Sequence, residues 1–156
     1  MADTPTGSGD PPILDDAIIR TSNETRDERR RKGEAHRRDV PLESHAGVPT
    51  PDRRADPIVL LTEQDASRLA DLVPIRHGRM STTAFTFYRG AAALMASDLS
   101  LLPRTALQVQ LCGDAHLSNF GVYNGPDRRV VFDLNDFDET LPGPFEWDVK
   151  RLAASV

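Results

Sequence analysis

The sequence predicts an α+β fold in which a small antiparallel sheet is flanked by helices. Three observations carry this expectation. Leu107 to Leu111 alternates strictly between apolar and polar residues, the period of a strand with one face covered. Phe120–Tyr123 and Arg129–Leu134 form two further short strands around Asn124-Gly125-Pro126-Asp127, whose Asn-Gly is a strong hairpin signal. Ala91-Ala92-Ala93-Leu94-Met95-Ala96 is an unbroken run of helix formers, closed by Pro103.

The remaining elements follow in chain order. Residues 1–12 read as a disordered leader, and a charged helix is expected between Asp15 and about Arg38. Pro41, Pro49, Pro51 and Pro57 make residues 39–57 a linker or extended arm. Residues 1–56 are therefore expected to be a largely disordered or extended arm with one charged helix, and residues 57–156 the folded part. Thr62 and Asp65 have capping-box spacing, followed by an apolar stripe of Ala66, Leu69, Ala70 and Val73. A helix from there to about Pro74 is predicted. Ala84-Phe85-Thr86-Phe87-Tyr88 alternates and is aromatic, which predicts a strand. Leu141-Pro142-Gly143-Pro144 reads as a turn, and a last helix starts near Glu146. No internal repeat is present.

Composition narrows the function. The 156 residues hold 19 basic and 24 acidic side chains, a net charge of −5. A general nucleic-acid binder normally shows the opposite balance. No apolar run approaches the ~20 residues that cross a bilayer. The start, Met1 to Pro12, lacks the basic and apolar stretches of a signal peptide. A single cysteine, Cys112, excludes an internal disulfide and fits a reducing compartment, so the cytoplasm is expected.

The stretch richest in chemistry is Gly113-Asp114-Ala115-His116-Leu117-Ser118-Asn119, followed downstream by Asn135-Asp136-Phe137-Asp138-Glu139. Strand, polar loop, hairpin and acidic loop bring two carboxylate-bearing loops to one end of a small sheet. Phosphoryl transfer needs a carboxylate to orient the attacking hydroxyl and take its proton. It also needs an amide and a second carboxylate to hold divalent metal. Asp114 and Asn119 are five residues apart, the Asp-to-Asn spacing of a kinase catalytic loop, and Asp136 stands before Phe137 as a metal-binding Asp would. Asp138 is a candidate second ligand, because clustered carboxylates repel and a cation relieves them. Asp133 competes with Asp136 as a ligand, or faces solvent from its strand. An Asx-turn is the plainer use of Asp114, and Cys112 reads as a core thiol rather than a nucleophile.

Gly113-Asp114-x-His116-x-x-Asn119 resembles the catalytic loop of the aminoglycoside and choline phosphotransferase branch of the kinase-like superfamily. Gly143-Pro144 and Asp148 match that branch's turn and following helix. The resemblance implies a partial protein-kinase-like fold, with Asp114 as catalytic base, Asn119 and Asp136 as metal ligands, Asp148 bracing the catalytic loop and His116 shaping it. It implies ATP and Mg2+ as cofactors and a small-molecule acceptor as partner. Over residues 26–156 the chain is also similar to a bacterial family, domain of unknown function 2252, through phrases such as Phe87-Tyr88-Arg89-Gly90 and Glu146-Trp147-Asp148-Val149-Lys150-Arg151.

The chain departs from an ordinary kinase in three ways. It has no Gly-rich phosphate loop, and no lysine between Lys32 and Lys150. Arg89 and Arg79 are the candidates to hold phosphate instead, with surface salt bridges as the alternative. The helix carrying Asp148 barely begins before Val156, so the helical C-lobe is expected to be missing and the chain to be a truncated product or fragment. Two rivals stand beside a phosphotransferase that is ATP- and magnesium-dependent in its complete form and expected to be inactive as this fragment. One is a non-catalytic kinase-like module binding a nucleotide or partner protein. The other is a metal-dependent phosphoesterase, for which only four histidines are available.

Overall fold

The structure is a computed structural model that describes residues 24–156. The expected leader and residues 15–23 of the expected charged helix lie outside the described residues. Five α-helices come first along the described chain, then the four strands of two small antiparallel sheets, then a last helix, so the α+β class holds.

The first helix, α1 (Arg26–Asp39), begins at a full capping box between Thr25 and Glu28 and buries no residue. An arm containing the short 3-10 helix Leu42–Ala46 leads from it to α2. The Arg54 guanidinium bridges Asp98 at 2.7 and 2.6 Å, which ties this arm to the folded part.

Helix α2 runs over Pro57–Asp65, not over the stretch after Thr62. Asp56 caps it by accepting from the Ile58 N–H, and Pro57 sits at the first helical position, where its missing N–H costs nothing. The predicted helix after Thr62 is mostly turns. Pro74 does not end a helix; it lies in the first turn of α3 (Val73–Met80). The predicted strand at 84–88 is also a helix, α4 (Ala84–Arg89). Thr83 and Thr86 form its capping box, and a capped N-terminus decides the conformation where five residues of alternation do not. Helix α5 (Ala92–Ser100) stands where the alanine run predicts it, and packs on α2. Leu61, Met80, Ala91 and Leu94 form the buried apolar cluster of this helical layer, with Leu60 against it.

The second layer holds the sheets. Strand β1 (Gln108–Leu111) pairs antiparallel with β4 (Leu141–Pro144), in the register Val109 to Gly143. The residues expected to form a plain turn are thus a strand. Phe145 donates its N–H to Leu107 O at 3.2 Å, so odd-numbered amides of this segment face β1 and the two prolines turn their nitrogens away from the ladder. Strands β2 (Phe120–Asn124) and β3 (Val130–Leu134) form the predicted hairpin, whose loop turns at Gly125–Arg128 with Arg128 at φ 62°. Helix α6 (Glu146–Ala153) closes the described fold. Its buried Glu146 accepts from the Thr105 N–H at 2.5 Å and hydroxyl at 2.9 Å, fixing the helix start under β1. Among the described residues no helix is long and apolar enough to cross a membrane.

Candidate active site

The loop after β1 and the acidic loop after β3 lie against each other. Four contacts join them. The Cys112 thiol donates to Asp136 O at 3.0 Å, and the Thr140 hydroxyl donates to Leu111 O at 2.7 Å. The Asn135 N–H donates to Asn119 O at 3.0 Å, extending the hairpin ladder into the site. Gly113 packs so tightly on the Glu139 carbonyl that a side chain there has no room. Asn119, Asp114 and Asp136 are in this way carried on one seam, although β1 and the hairpin belong to different sheets.

Helix α6 supports that seam from behind. Asp148 accepts from the Cys112 N–H at 2.7 Å and the Gly113 N–H at 3.1 Å, one carboxylate oxygen for each amide. Ser155 accepts from the Leu117 N–H at 2.9 Å. The Asp148 arrangement is sensitive to isosteric change. In Asp148→Asn one amide N–H would face an NH2 group. A loss of about 1–3 kcal/mol is expected in chemical denaturation, the cost of an unmet buried donor. An unchanged midpoint would show that these amides are not held by the carboxylate.

Asp114 is more constrained than the sequence indicates. Its Oδ1 accepts from Arg151 Nε at 2.7 Å and lies 2.6 Å from the terminal nitrogen. Arg151 is only 3% exposed, lies 3.9 Å over the Tyr88 ring and donates to Tyr88 O at 2.6 Å. Sequence reasoning missed Arg151. Its position three residues after Asp148, on the same face of α6, was the available signal. Asp114 Oδ2 has the His116 ring nitrogen 3.5 Å away and is the freer oxygen. His116 is 2% exposed, and burial lowers its pKa against the opposing pull of Asp114, with Arg89 and Arg151 adding to the lowering. It packs edge-on against Phe85, and its Nδ1 has no partner among the described residues.

Asn119 is buried, and its side-chain N–H donates to Asp114 O at 2.8 Å, which leaves the amide oxygen as its remaining polar atom. Asp136 accepts from the Asp138 N–H at 3.2 Å in an Asx-turn that shapes the acidic loop. Asp138 and Asp133 are exposed, and Asp133 sits on β3 opposite Gly121. Desolvation raises the Glu139 pKa, and the charges of Asp114, Asp136 and Asp138 push the same way while Arg68 opposes them. The field there is thus one of several carboxylates. Among the described residues, no three His, Cys, Asp or Glu side chains are grouped to hold a metal by themselves. An Asn and an Asp suit magnesium in another way, because that ion keeps waters and takes only one or two protein carboxylates beside phosphate oxygens.

Arg79 and Arg89 come together with two arginines that the sequence did not single out, Arg68 and Arg76, around an open cavity of about 740 Å³. Arg89 ends α4 and is close enough to His116 to act on its protonation.

A model of the family described as uncharacterized protein conserved in bacteria (DUF2252) matches residues 68–156. No curated protein and no solved structure matches the chain.

Proposed function

The chain belongs to the DUF2252 family of bacterial proteins, and from that premise together with the site's geometry we propose a kinase-like phosphotransferase module acting on a small-molecule acceptor. The observation that carries this reading is the seam itself. The Asp114–Asn119 loop and the Asp136 loop are stitched together by the Cys112, Asn135 and Thr140 hydrogen bonds. Phosphoryl transfer is mostly positioning and charge stabilisation, so two such loops on a rigid mount are its main requirement.

The roles divide as follows. Asp114 Oδ2 accepts the proton of the attacking hydroxyl, while Arg151 on Oδ1 fixes the carboxylate's direction. Asn119, through its amide oxygen, and Asp136 are the magnesium ligands, with Asp138 two residues beyond Asp136 on the acidic loop. Bound Mg2+ and ATP would supply the phosphoryl group and neutralise its developing charge. Asp148 and His116 position the loop, and Arg79 and Arg89 hold phosphate oxygens in the place of the absent lysine.

A non-catalytic nucleotide-binding module is the second reading. The ion pair to Arg151 favours it, because one oxygen of the Asp114 carboxylate is already taken up by two guanidinium contacts that hold the loop together. Calorimetric titration with ATP and magnesium tests the common part of both readings. Asp136→Ala is expected to weaken magnesium-dependent ATP binding by at least about tenfold, near 1.4 kcal/mol. Equal binding by the variant and the parent protein would remove Asp136 from the site. Phosphate release or transfer in the presence of candidate acceptors then separates the enzyme from the binding module.

A further inference from the structure

The cavity bordered by α3 and α4 has chemistry of its own. Four guanidinium side chains line it, from Arg68, Arg76, Arg79 and Arg89, and no carboxylate is among the lining residues. Among the described residues, Arg76 is the one of the four whose side chain is engaged: it donates to Gly90 O at 2.6 Å and lies 3.4 Å from Asp65, a carboxylate that His77 also contacts at 2.6 Å. Arg68, Arg79 and Arg89 form no ion pair among the described residues. Four guanidinium groups with only Asp65 and Glu139 as neighbouring counter-charges among the described residues repel one another, and a bound anion would relieve that repulsion. Leu72, Ile75 and Met80 complete the wall, so the cavity offers an apolar side next to its charged one. The fold builds this grouping from elements packed against each other. Arg76 and Arg79 come from α3, Arg89 from α4, and Arg68 from the turn that follows α2. Arg76 is pinned to Gly90 at the end of α4, which holds the two helices in register.

We propose that the Arg68–Arg76–Arg79–Arg89 cavity is a binding site for a phosphorylated small molecule with at least two anionic phosphate oxygens, held by guanidinium forks without a metal ion. The planar fork of arginine meets two phosphate oxygens at once, which a lysine cannot do. A cavity of this volume takes a drug-sized ligand. The proposal deepens the phosphotransferase reading by naming the class of molecule that sits beside the seam, but its chemistry does not depend on catalysis. Arg68 also acts on the Glu139 carboxyl, so cavity and acidic loop are neighbours.

The test is calorimetric titration of the whole chain with inorganic pyrophosphate in EDTA at low salt. Saturable one-to-one binding is expected. Arg79→Ala and Arg68→Ala should each weaken it about tenfold, and Arg79→Lys should recover only part, because charge returns without the fork. Both side chains are exposed, and unchanged far-UV circular dichroism would verify that the variants fold. Asp136→Ala should bind pyrophosphate as the parent does. The proposal is overturned by absent or unsaturable binding, by Arg79→Ala and Arg68→Ala binding undiminished, or by loss of cation-free binding in Asp136→Ala. A protein that binds pyrophosphate in EDTA yet shows no magnesium-dependent ATP binding keeps this site and loses the phosphotransferase reading.

Discussion

Replacing Arg151 by alanine is expected to destabilise the protein by about 3–5 kcal/mol, the range for removing one partner of a buried ion pair. That is a large share of the roughly 5–15 kcal/mol that holds a domain together. Arg151 is buried and serves four groups at once: the Asp114 carboxylate, the Tyr88 carbonyl, the Tyr88 ring and the Met95 sulfur. Its own carbonyl accepts from the Tyr88 hydroxyl at 2.5 Å, so α4, α6 and the loop after β1 meet at one residue. Truncation leaves Asp114 as an unpaired, half-buried carboxylate and Tyr88 O without its donor. Arg151→Lys keeps a charge but cannot bond Asp114, bond Tyr88 O and cover the ring together, so it should recover less than half of the loss. The double variant Arg151→Ala with Asp114→Asn should be more stable than Arg151→Ala alone, since it discharges the stranded carboxylate. Urea denaturation followed by circular dichroism measures all three. A loss below about 1 kcal/mol for Arg151→Ala would mean that the pair is solvated and weak.

Which parts of this architecture are legible in the sequence depends on what sets each one. Strand β1, the β2–β3 hairpin and helix α5 are visible because their local pattern has a single period and a clear end. Helix α4 is not, because Ala84 to Tyr88 fits a strand period over too few residues to outweigh the Thr83–Thr86 cap. Strand β4 is hidden by its prolines, which deny a strand until the partner is known. Only the pairing to β1 reveals that both sit on the non-bonding side. Asp56-Pro57 was a readable helix start, and the weaker Thr62–Asp65 spacing masked it. The site divides in the same way. Asp114, Asn119, Asp136 and Asp148 are spaced along motifs and can be read in one dimension. The Arg151–Asp114 pair spans 37 residues, and the cavity draws arginines from separate elements, so both arise from packing rather than from spacing.

Gly113→Ala is the second change with a large expected effect, and it tests the seam directly. Gly113 has φ of +90°, a conformation that side-chain-bearing residues rarely adopt, and a Cβ there would lie 2.0 Å from the Glu139 carbonyl oxygen. Backbone stands on both sides of that contact, so no rotamer change relieves it. Strain of about 1–3 kcal/mol from the dihedral alone adds to the cost of pushing the acidic loop away. The total should be about 3 kcal/mol or more, near the upper end of what single substitutions do. The displacement has a local signature as well. Cys112, 3% exposed, is covered in part by Asp136 O and is kept protonated by burial, so its thiol should react slowly with a disulfide reagent in the parent protein. In Gly113→Ala the loops part and the reaction should accelerate many-fold at denaturant concentrations where the fold persists. Parent-like stability together with an unreactive thiol in Gly113→Ala would mean that the Asp114 and Asp136 loops do not touch, and the proposed phosphotransfer site would lose its mount.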